Sequence, residues 1–174
     1  MNKKTRNILI IVVAALVVLS CVFMFIISPI SIKKGNREMP EADMATDEIL
    51  TDIVVEQKFK NITEDINEVA VVFDRLYLLD EKTYIIIELL DGDNVLAQNK
   101  YVADEIRGDH RTYLTLDTPI SGYVGKELSL KIYTTSTAGT GLALMMNSKE
   151  SGSSFMFGNK NIKGTICFSV VGKE

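Results

Sequence analysis

The side chains best suited to recognition chemistry in this sequence are tyrosines that fall on predicted strands. A tyrosine offers a flat apolar face and a polar tip, which suits stacking against a sugar ring. Arg111 and Tyr113 share one face of their predicted strand, and Lys131 and Tyr133 share one face of theirs. If both faces line the concave side of one fold, these four residues form a polar, aromatic ligand-binding groove. The alternative, that they are ordinary outward-facing positions, stays open.

The sequence predicts no catalytic residue. His110 is the only histidine, so any nucleophile–histidine–acid triad would have to include it, and no G-x-S-x-G motif accompanies it. Carboxylates are plentiful, but a glycosidase needs two of them facing each other across a cleft, and spacing alone does not indicate that. We therefore expect a non-enzymatic protein.

No metal site or cofactor is predicted either. One histidine and one cysteine after the N-terminal apolar run are too few ligands for zinc. Asp91, Asp93 and Asn94 resemble the start of a calcium loop, but the glycine and the glutamate that complete an EF-hand are missing. The segment Asp91-Gly92-Asp93-Asn94 is more typical of a hairpin turn, so no motif supports calcium, and a calcium ion bound elsewhere in the domain stays open.

A second type of candidate contact is the apolar triplet Phe155, Met156 and Phe157. It lies inside the polar segment Asn147–Lys163, which we interpret as a long loop. The triplet either packs back onto the domain or forms an exposed contact with a partner protein.

The candidate residues described so far lie C-terminal to an uncharged apolar run from Ile8 to Ile27. Twenty residues make a helix of roughly 30 Å, which is the thickness of the hydrocarbon core of a bilayer. We expect residues 8–27 to contact the lipid bilayer as a single transmembrane helix, preceded by a basic tail over residues 1–7.

A cleaved signal peptide is the main alternative to an anchor. The run is longer than the usual 7–15-residue apolar region, and Pro29 stands where cleavage would fall. A lipoprotein reading through Cys21 is disfavoured because Val22 to Ile27 continues the apolar run. An uncleaved helix is the expectation.

Orientation rests on weaker signals. Three basic residues precede the run and three follow it closely, which is a tie under positive-inside counting. The N-terminal amine and the short tail favour a cytoplasmic N-terminus. We therefore expect a cell-membrane protein whose C-terminal domain is extracellular.

Charge argues against nucleic acid as a partner. The chain carries −4 at pH 7, and the first seven residues carry +3, which leaves −7 on the remainder. No basic patch with interleaved aromatic residues occurs. With a single cysteine after the apolar run, the domain lacks an intrachain disulfide pair, which favours a bacterial protein over a secreted eukaryotic one.

The soluble part divides into a polar stalk over residues 28–48 and a β-rich domain over residues 49–174. Short runs of alternating or continuous apolar residues predict eight strands, separated by turn residues and without an amphipathic helix. The predicted strands are Ile53–Phe59, Val69–Leu79, Tyr84–Leu90, Val95–Val102, Arg111–Leu116, Glu127–Tyr133, Gly141–Met146 and Thr165–Val170. This pattern predicts an all-β fold, an antiparallel β-sandwich of about eight strands behind one transmembrane α-helix.

Residues 53–146 resemble the jelly-roll, galactose-binding-like domains of bacterial membrane proteins associated with cell-surface polysaccharide systems. The residues that carry the resemblance are Gln57-x-Phe59, Ile66-x-x-Val69, Val71-x-Phe73, Leu89-Leu90-Asp91-Gly92, Pro119-Ile120, Gly125-Lys126-x-Leu128-x-Leu130-x-Ile132 and Gly139-x-Gly141-Leu142-Ala143-Leu144. These are mostly turn and core residues, so the resemblance implies a jelly-roll fold and transfers no ligand residue.

Together these features favour a membrane-anchored, non-catalytic binding module at the bacterial cell surface, with glycan or another envelope polymer as its ligand. The alternative is an accessory subunit that docks on a larger membrane protein of polysaccharide assembly. The first hypothesis depends on Tyr113 and Tyr133, and the second on residues 155–157 or the apolar helix.

Overall fold

The chain folds into two antiparallel β-sheets packed as a β-sandwich, which confirms the predicted all-β class. A computed structural model describes residues 35–79 and 81–172. The predicted transmembrane helix at Ile8–Ile27 lies outside the described residues. Within the described ranges, the only helical element is a short 3-10 helix, Ala103–Glu105.

Among the described residues, sheet I and sheet II each contain six strands. The strands of sheet I are β1 (Met44–Ala45), β3 (Asp65–Arg75), β6 (Arg111–Ser121), β8 (Leu142–Asn147), β11 (Thr165–Ile166) and β12 (Phe168–Gly172). The strands of sheet II are β2 (Val55–Lys60), β4 (Tyr84–Asp91), β5 (Asn94–Val102), β7 (Glu127–Tyr133), β9 (Ser154–Phe157) and β10 (Lys160–Lys163). Sheet II runs in the spatial order β10-β9-β2-β7-β4-β5.

Alternation along the strands directs apolar side chains into the space between the sheets. Leu128, Leu130 and Ile132 on β7 are buried in the same cluster as Val69 and Phe73 on β3. Because successive side chains of a strand point to opposite faces, the residues between them face outward. The same alternation therefore builds the core and selects the residues on the two outer faces.

Strand β4 lies in sheet II between β5 and β7, as its nearly continuous apolar sequence predicts. The hairpin from β4 to β5 is also confirmed: Asp91 pairs with Asn94, and Gly92 and Asp93 form the turn. Gly92 has φ +59°, which suits the first central position of a tight type II′ turn.

The segment Asn147–Lys163 differs from the predicted loop, because it contains the hairpin β9–β10. Phe155 and Phe157 point into the core, whereas Met156 points outward with 39% of its surface exposed. The triplet is thus an alternating strand rather than a loop tip. Of the three predicted partner contacts, only Met156 is on the surface.

Strand β3 begins at Asp65 and ends at Arg75, four residues earlier at each end than the sequence pattern predicts. The apolar residues Leu76, Tyr77 and Leu78 follow the strand and are exposed. Tyr77 donates a hydrogen bond to Glu48 Oε1 at 2.6 Å.

Residues 35–48, which the sequence pattern assigns to the stalk, form backbone hydrogen bonds with sheet I. Arg37 pairs with Val170 of β12 through two bonds of 2.9 and 3.1 Å. Strand β1 pairs with β8, with Met44 opposite Met146. This part of the segment belongs structurally to the sandwich.

Candidate functional site

The outer face of sheet II carries one row of side chains that crosses all six strands. Paired positions place them in the order Asn161, Met156, Glu56, Lys131, Glu88 and Gln98. With about 4.8 Å between neighbouring strands, the row extends about 24 Å. We call these six residues the polar row.

Glu88 is the centre of a hydrogen-bonded cluster in the polar row. Its residue surface is only 8% exposed. The Tyr133 hydroxyl donates to Glu88 Oε1 at 2.9 Å, and Gln98 Nε2 donates to the same oxygen. Among the described residues, none donates a hydrogen bond to Oε2. The carboxylate is therefore held in place by one oxygen and keeps the other as an acceptor.

The position of Glu88 follows from the pairing of β4 with its neighbours. Gln98 lies directly opposite on β5, and Tyr133 lies on β7 opposite Ile86, two residues along the same face. Burying a carboxylate is costly unless donors compensate for the lost water. Gln98 and Tyr133 supply them, so the charge is tolerated within an apolar strand.

Tyr133 is suited to remain a donor. Desolvation by the surrounding sheet raises the pKa of its hydroxyl, and the neighbouring Glu88 carboxylate raises this pKa further because a second negative charge there is unfavourable. The hydroxyl therefore stays protonated at neutral pH. Its hydrogen bond orients the Glu88 carboxylate.

Lys131 stands between two carboxylates, because it pairs with Glu56 on one side and Glu88 on the other. Among the described residues, its ammonium group has no ion pair within 4.0 Å and no hydrogen bond. Ser129 donates a hydrogen bond to Glu56 Oε1 at 3.0 Å. The centre of the row thus combines an uncommitted cation with two hydrogen-bonded carboxylates.

The row ends in a cleft between β2 and the β9–β10 hairpin. Strands β2 and β9 pair only at Val55–Phe157 and Glu56–Met156. Beyond this point a cavity of about 380 Å³ opens, lined by Glu56, Lys58, Ser154, Phe155, Met156 and Asn161. Three of these residues belong to the polar row, so the row and the cleft form one continuous surface.

Gln57 links β2 to the β9–β10 hairpin and to β11 by hydrogen bonds. Its Nε2 donates to the Ser154 carbonyl at 3.2 Å, and its Oε1 accepts from the Ile166 amide at 3.3 Å and from the Thr165 hydroxyl at 3.2 Å. The Gln57 side chain is buried, and its hydrogen bond to Ser154 crosses the gap where β2 and β9 separate. The cleft is therefore a built feature of the sheet.

The structure does not bring the four predicted ligand residues into one groove. Lys131 and Tyr133 lie on the outer face of sheet II, in and beside the polar row. Arg111 and Tyr113 lie on the outer face of sheet I, because β6 pairs with β3 and Tyr113 is opposite Ala70. The hydrophobic core separates the two pairs.

Sequence reasoning did not single out Glu88, its hydrogen-bond partner Gln98, or Glu56 on the other side of Lys131. A signal was present: Glu88 is the only charged residue in the run Tyr84–Leu90. A charge inside a strand predicted to be buried on both faces requires partners. Which partners it finds depends on strand pairing, which the local sequence does not specify.

Metal-ligating side chains are not clustered in the described ranges: no group of three or more histidine, cysteine, aspartate or glutamate residues there could hold an ion. Asp91 belongs to the hairpin and lies 3.8 Å from Lys126 Nζ. His110 Nδ1 lies 2.9 Å from the Gly108 carbonyl oxygen, on the exposed surface.

Comparison with protein-family models gives no match to this chain, and comparison with curated proteins gives none either. The predicted resemblance therefore gains no support beyond the β-sandwich itself. Over residues 35–79 and 81–172, no helix has the length and apolar character needed to cross a bilayer.

Proposed function

We propose that this protein is a non-catalytic glycan-binding module that uses the outer face of sheet II. The observation that carries the proposal is the Glu88 cluster: a buried carboxylate, oriented by Tyr133 and Gln98, with one oxygen still able to accept. Sugar hydroxyls both donate and accept hydrogen bonds. A fixed carboxylate acceptor beside the Lys131 donor complements a pair of neighbouring hydroxyls.

The shape of the face supports an extended ligand. The polar row is about 24 Å long and ends in the cleft beside Glu56, so several sugar units of a polymer can lie across the strands. Tyr133 adds a partly exposed ring next to the acceptor, which suits contact with the apolar side of a sugar. An envelope polysaccharide is therefore the ligand class we favour.

Membrane anchorage belongs to the same proposal. The apolar run Ile8–Ile27 would hold the module in the cell membrane, with the N-terminus cytoplasmic and the sandwich outside the cell. Chain passage between the two sheets, with β2, β4 and β5 in one and β3 and β6 in the other, supports the finer expectation of a jelly roll. Protease added to intact cells should then cleave exposed loops of the domain, and carbonate should not extract the full-length protein.

The test is binding of the full-length protein, in detergent micelles, to an array of glycans and purified envelope polysaccharides. Glu88→Gln keeps the shape and allows Tyr133 to donate to an amide oxygen, but it removes the charge. We expect it to weaken binding at least tenfold, since hydrogen bonds to charged groups contribute about 1.5–3 kcal/mol. Tyr133→Phe, which releases the carboxylate, should also weaken binding.

Tyr113→Phe is the matched control, because it makes the same change on the opposite face. It should bind as the unaltered protein does. Equal loss in the two tyrosine variants, or undiminished binding by Glu88→Gln, would count against the Glu88 cluster as the glycan site. Absence of any saturable glycan binding would overturn the proposal itself.

Docking on a larger membrane protein is the second candidate function. The observation that favours it is the exposed apolar end after β3, where Leu78 has 77% of its surface exposed beside Leu76 and Tyr77. Adjacent exposed apolar residues are typical of contact sites. In-cell crosslinking should then trap a partner that Leu78→Ser loses and Met156→Ser retains. A crosslink unaffected by Leu78→Ser would contradict this surface.

A further inference from the structure

Arg111 lies on the outer face of sheet I between two cavities, the first of which reaches Tyr101 and Val102 at the end of β5. Each has a volume of about 380 Å³, and Arg111 lines both. The first cavity also includes Arg107 and His110, and the second also includes Arg37 and Ser169. Arg107 and Arg37 thus flank Arg111 on its two sides, and each cavity also contains one carboxylate, Glu105 in the first and Glu38 in the second.

The exposed side chains of Arg107 and Arg111 make no polar contact with any described residue. Arg75 donates to the carbonyls of Ala103 and Ile106, and Arg37 Nη2 lies 3.4 Å from the Thr165 hydroxyl. By contrast, the guanidinium groups of Arg107 and Arg111 have neither hydrogen bonds nor ion pairs to any described residue. Their donors are available to a ligand.

A second, independent observation points to a ligand in the second cavity. Ser169 is only 4% exposed, and its buried hydroxyl has no hydrogen-bond partner among the residues that the structure describes. Buried polar atoms without partners are rare in folded proteins. Opposite Ser169 in the sheet is Ala70, whose side chain offers the hydroxyl no hydrogen bond. Ser169 lines this cavity, so a rotation of its side chain toward the cavity would let the hydroxyl donate to a ligand oxygen there.

The loop that carries Arg107 and His110 is held in a defined position. Arg75 fixes its beginning through the two carbonyls and lies 3.4 Å from Asp104. At its end, Asp109 adopts φ +60°, which is unfavourable for a residue with a side chain, and its amide donates to the Phe73 carbonyl at 2.9 Å. Backbone strain of this kind is often retained where it positions functional side chains.

We propose that Arg111 is the centre of a phosphate-binding cleft, with Arg107 and His110 on one side and Ser169 on the other. A guanidinium group matches the paired oxygens of a phosphate with two parallel hydrogen bonds, and it remains charged at all physiological pH values. The Glu105 carboxylate in the first cavity and the Glu38 carboxylate in the second offset part of the positive charge there. The phosphate is either free or carried by a larger molecule such as a sugar phosphate.

This cleft would allow a negatively charged domain to bind a negatively charged ligand. The chain beyond its first seven residues carries −7, so phosphate-rich surfaces repel it overall. A local cluster of uncommitted cations permits binding of a phosphate despite that repulsion. The inference is independent of glycan binding on sheet II, because it uses none of the polar row.

The experiment is a titration of the full-length protein in detergent micelles with inorganic phosphate, glucose 1-phosphate or glucuronate. Binding is monitored through the NMR signals of the arginine side chains. We expect saturable shifts of the Arg111 signal with both phosphates. Arg111→Gln should weaken phosphate binding at least tenfold, and Ser169→Ala should weaken it several-fold without lowering the melting temperature. Tighter binding of glucose 1-phosphate would identify the carried phosphate as the ligand, and equal affinities would identify the free group.

Lys160→Gln is the matched control, since it removes an exposed cation from β10 in sheet II. It should bind phosphate as the unaltered protein does. The proposal is overturned if Arg111→Gln binds as tightly as the unaltered protein, if Lys160→Gln loses as much affinity, or if glucuronate alone gives saturable shifts. Failure of glycan binding on sheet II would leave these outcomes unchanged.

Discussion

The outer faces of the two sheets differ in how their polar side chains are hydrogen-bonded. On sheet II, the buried Glu88 is satisfied by Tyr133 and Gln98, and its free oxygen is an acceptor. On sheet I, within the described part of the chain, Arg111 has no hydrogen bond or ion pair and the buried Ser169 hydroxyl lacks a partner. The two faces therefore differ in the groups they leave unpaired: a carboxylate oxygen beside the Lys131 ammonium on sheet II, and guanidinium and hydroxyl donors on sheet I.

The largest effect should come from the core that both faces share. Phe155→Ala removes a fully buried ring beneath the cleft of sheet II, and we expect it to lower the free energy of unfolding by about 3–5 kcal/mol. Met156→Ala, one residue away on the outer face, should lower it by less than about 1 kcal/mol. Chemical denaturation of the two variants checks this. Similar losses would contradict the alternating assignment of β9.

A smaller effect should separate the two faces. Glu88→Ala leaves the Tyr133 hydroxyl without its acceptor, and we expect a loss of about 1–3 kcal/mol in the free energy of unfolding. Arg111→Ala removes an uncommitted side chain and should change it by no more than about 0.5 kcal/mol. Thermal melts of both variants would measure the difference. A destabilised Arg111→Ala protein would mean that this arginine has a structural role.

The smallest effect at neutral pH concerns Cys167, which lies between β11 and β12. Burial, followed by the Asp43 and Glu150 carboxylates, raises the pKa of this thiol to about 11. Its contribution to stability is complete below the unfolded value of about 9 and is lost as the pH rises toward 11, because the unfolded thiol ionises first. Denaturation midpoints of Cys167→Ala and the unaltered protein should therefore converge or cross between pH 9 and 11. Parallel pH profiles would contradict the shift.

Much of the sandwich was predictable because its signals are local. The alternation of Glu127–Tyr133 and the turn at Gly92 each specify a strand or a hairpin within a few residues. The β9–β10 hairpin was missed because its strands have four residues each and polar residues surround them. Phe155 and Phe157, which were predicted as partner contacts, are core residues of this hairpin.

The candidate sites were less predictable because they depend on pairing between distant segments. The sequence pattern grouped Lys131 with Tyr133 correctly, since both are on β7. It could not show that Glu88 lies beside them, 43 residues from Lys131 along the chain, because only the register of β4 against β7 brings them together. Arg111 and Tyr113 were separated from them for the converse reason, since strand assignment to a sheet is not a local property.

The pairing of residues 35–48 with sheet I has a consequence for how the domain behaves when shortened. Arg37 covers part of β12, and the segment around Met44 covers β8. A fragment starting at residue 49 would leave the amide of Val170 and the carbonyls of Leu144 and Met146 without their present partners. Exposed strand edges of this kind recruit strands from other molecules. Such a fragment should self-associate more strongly than one that retains Gly35, which gel filtration of the two fragments would measure.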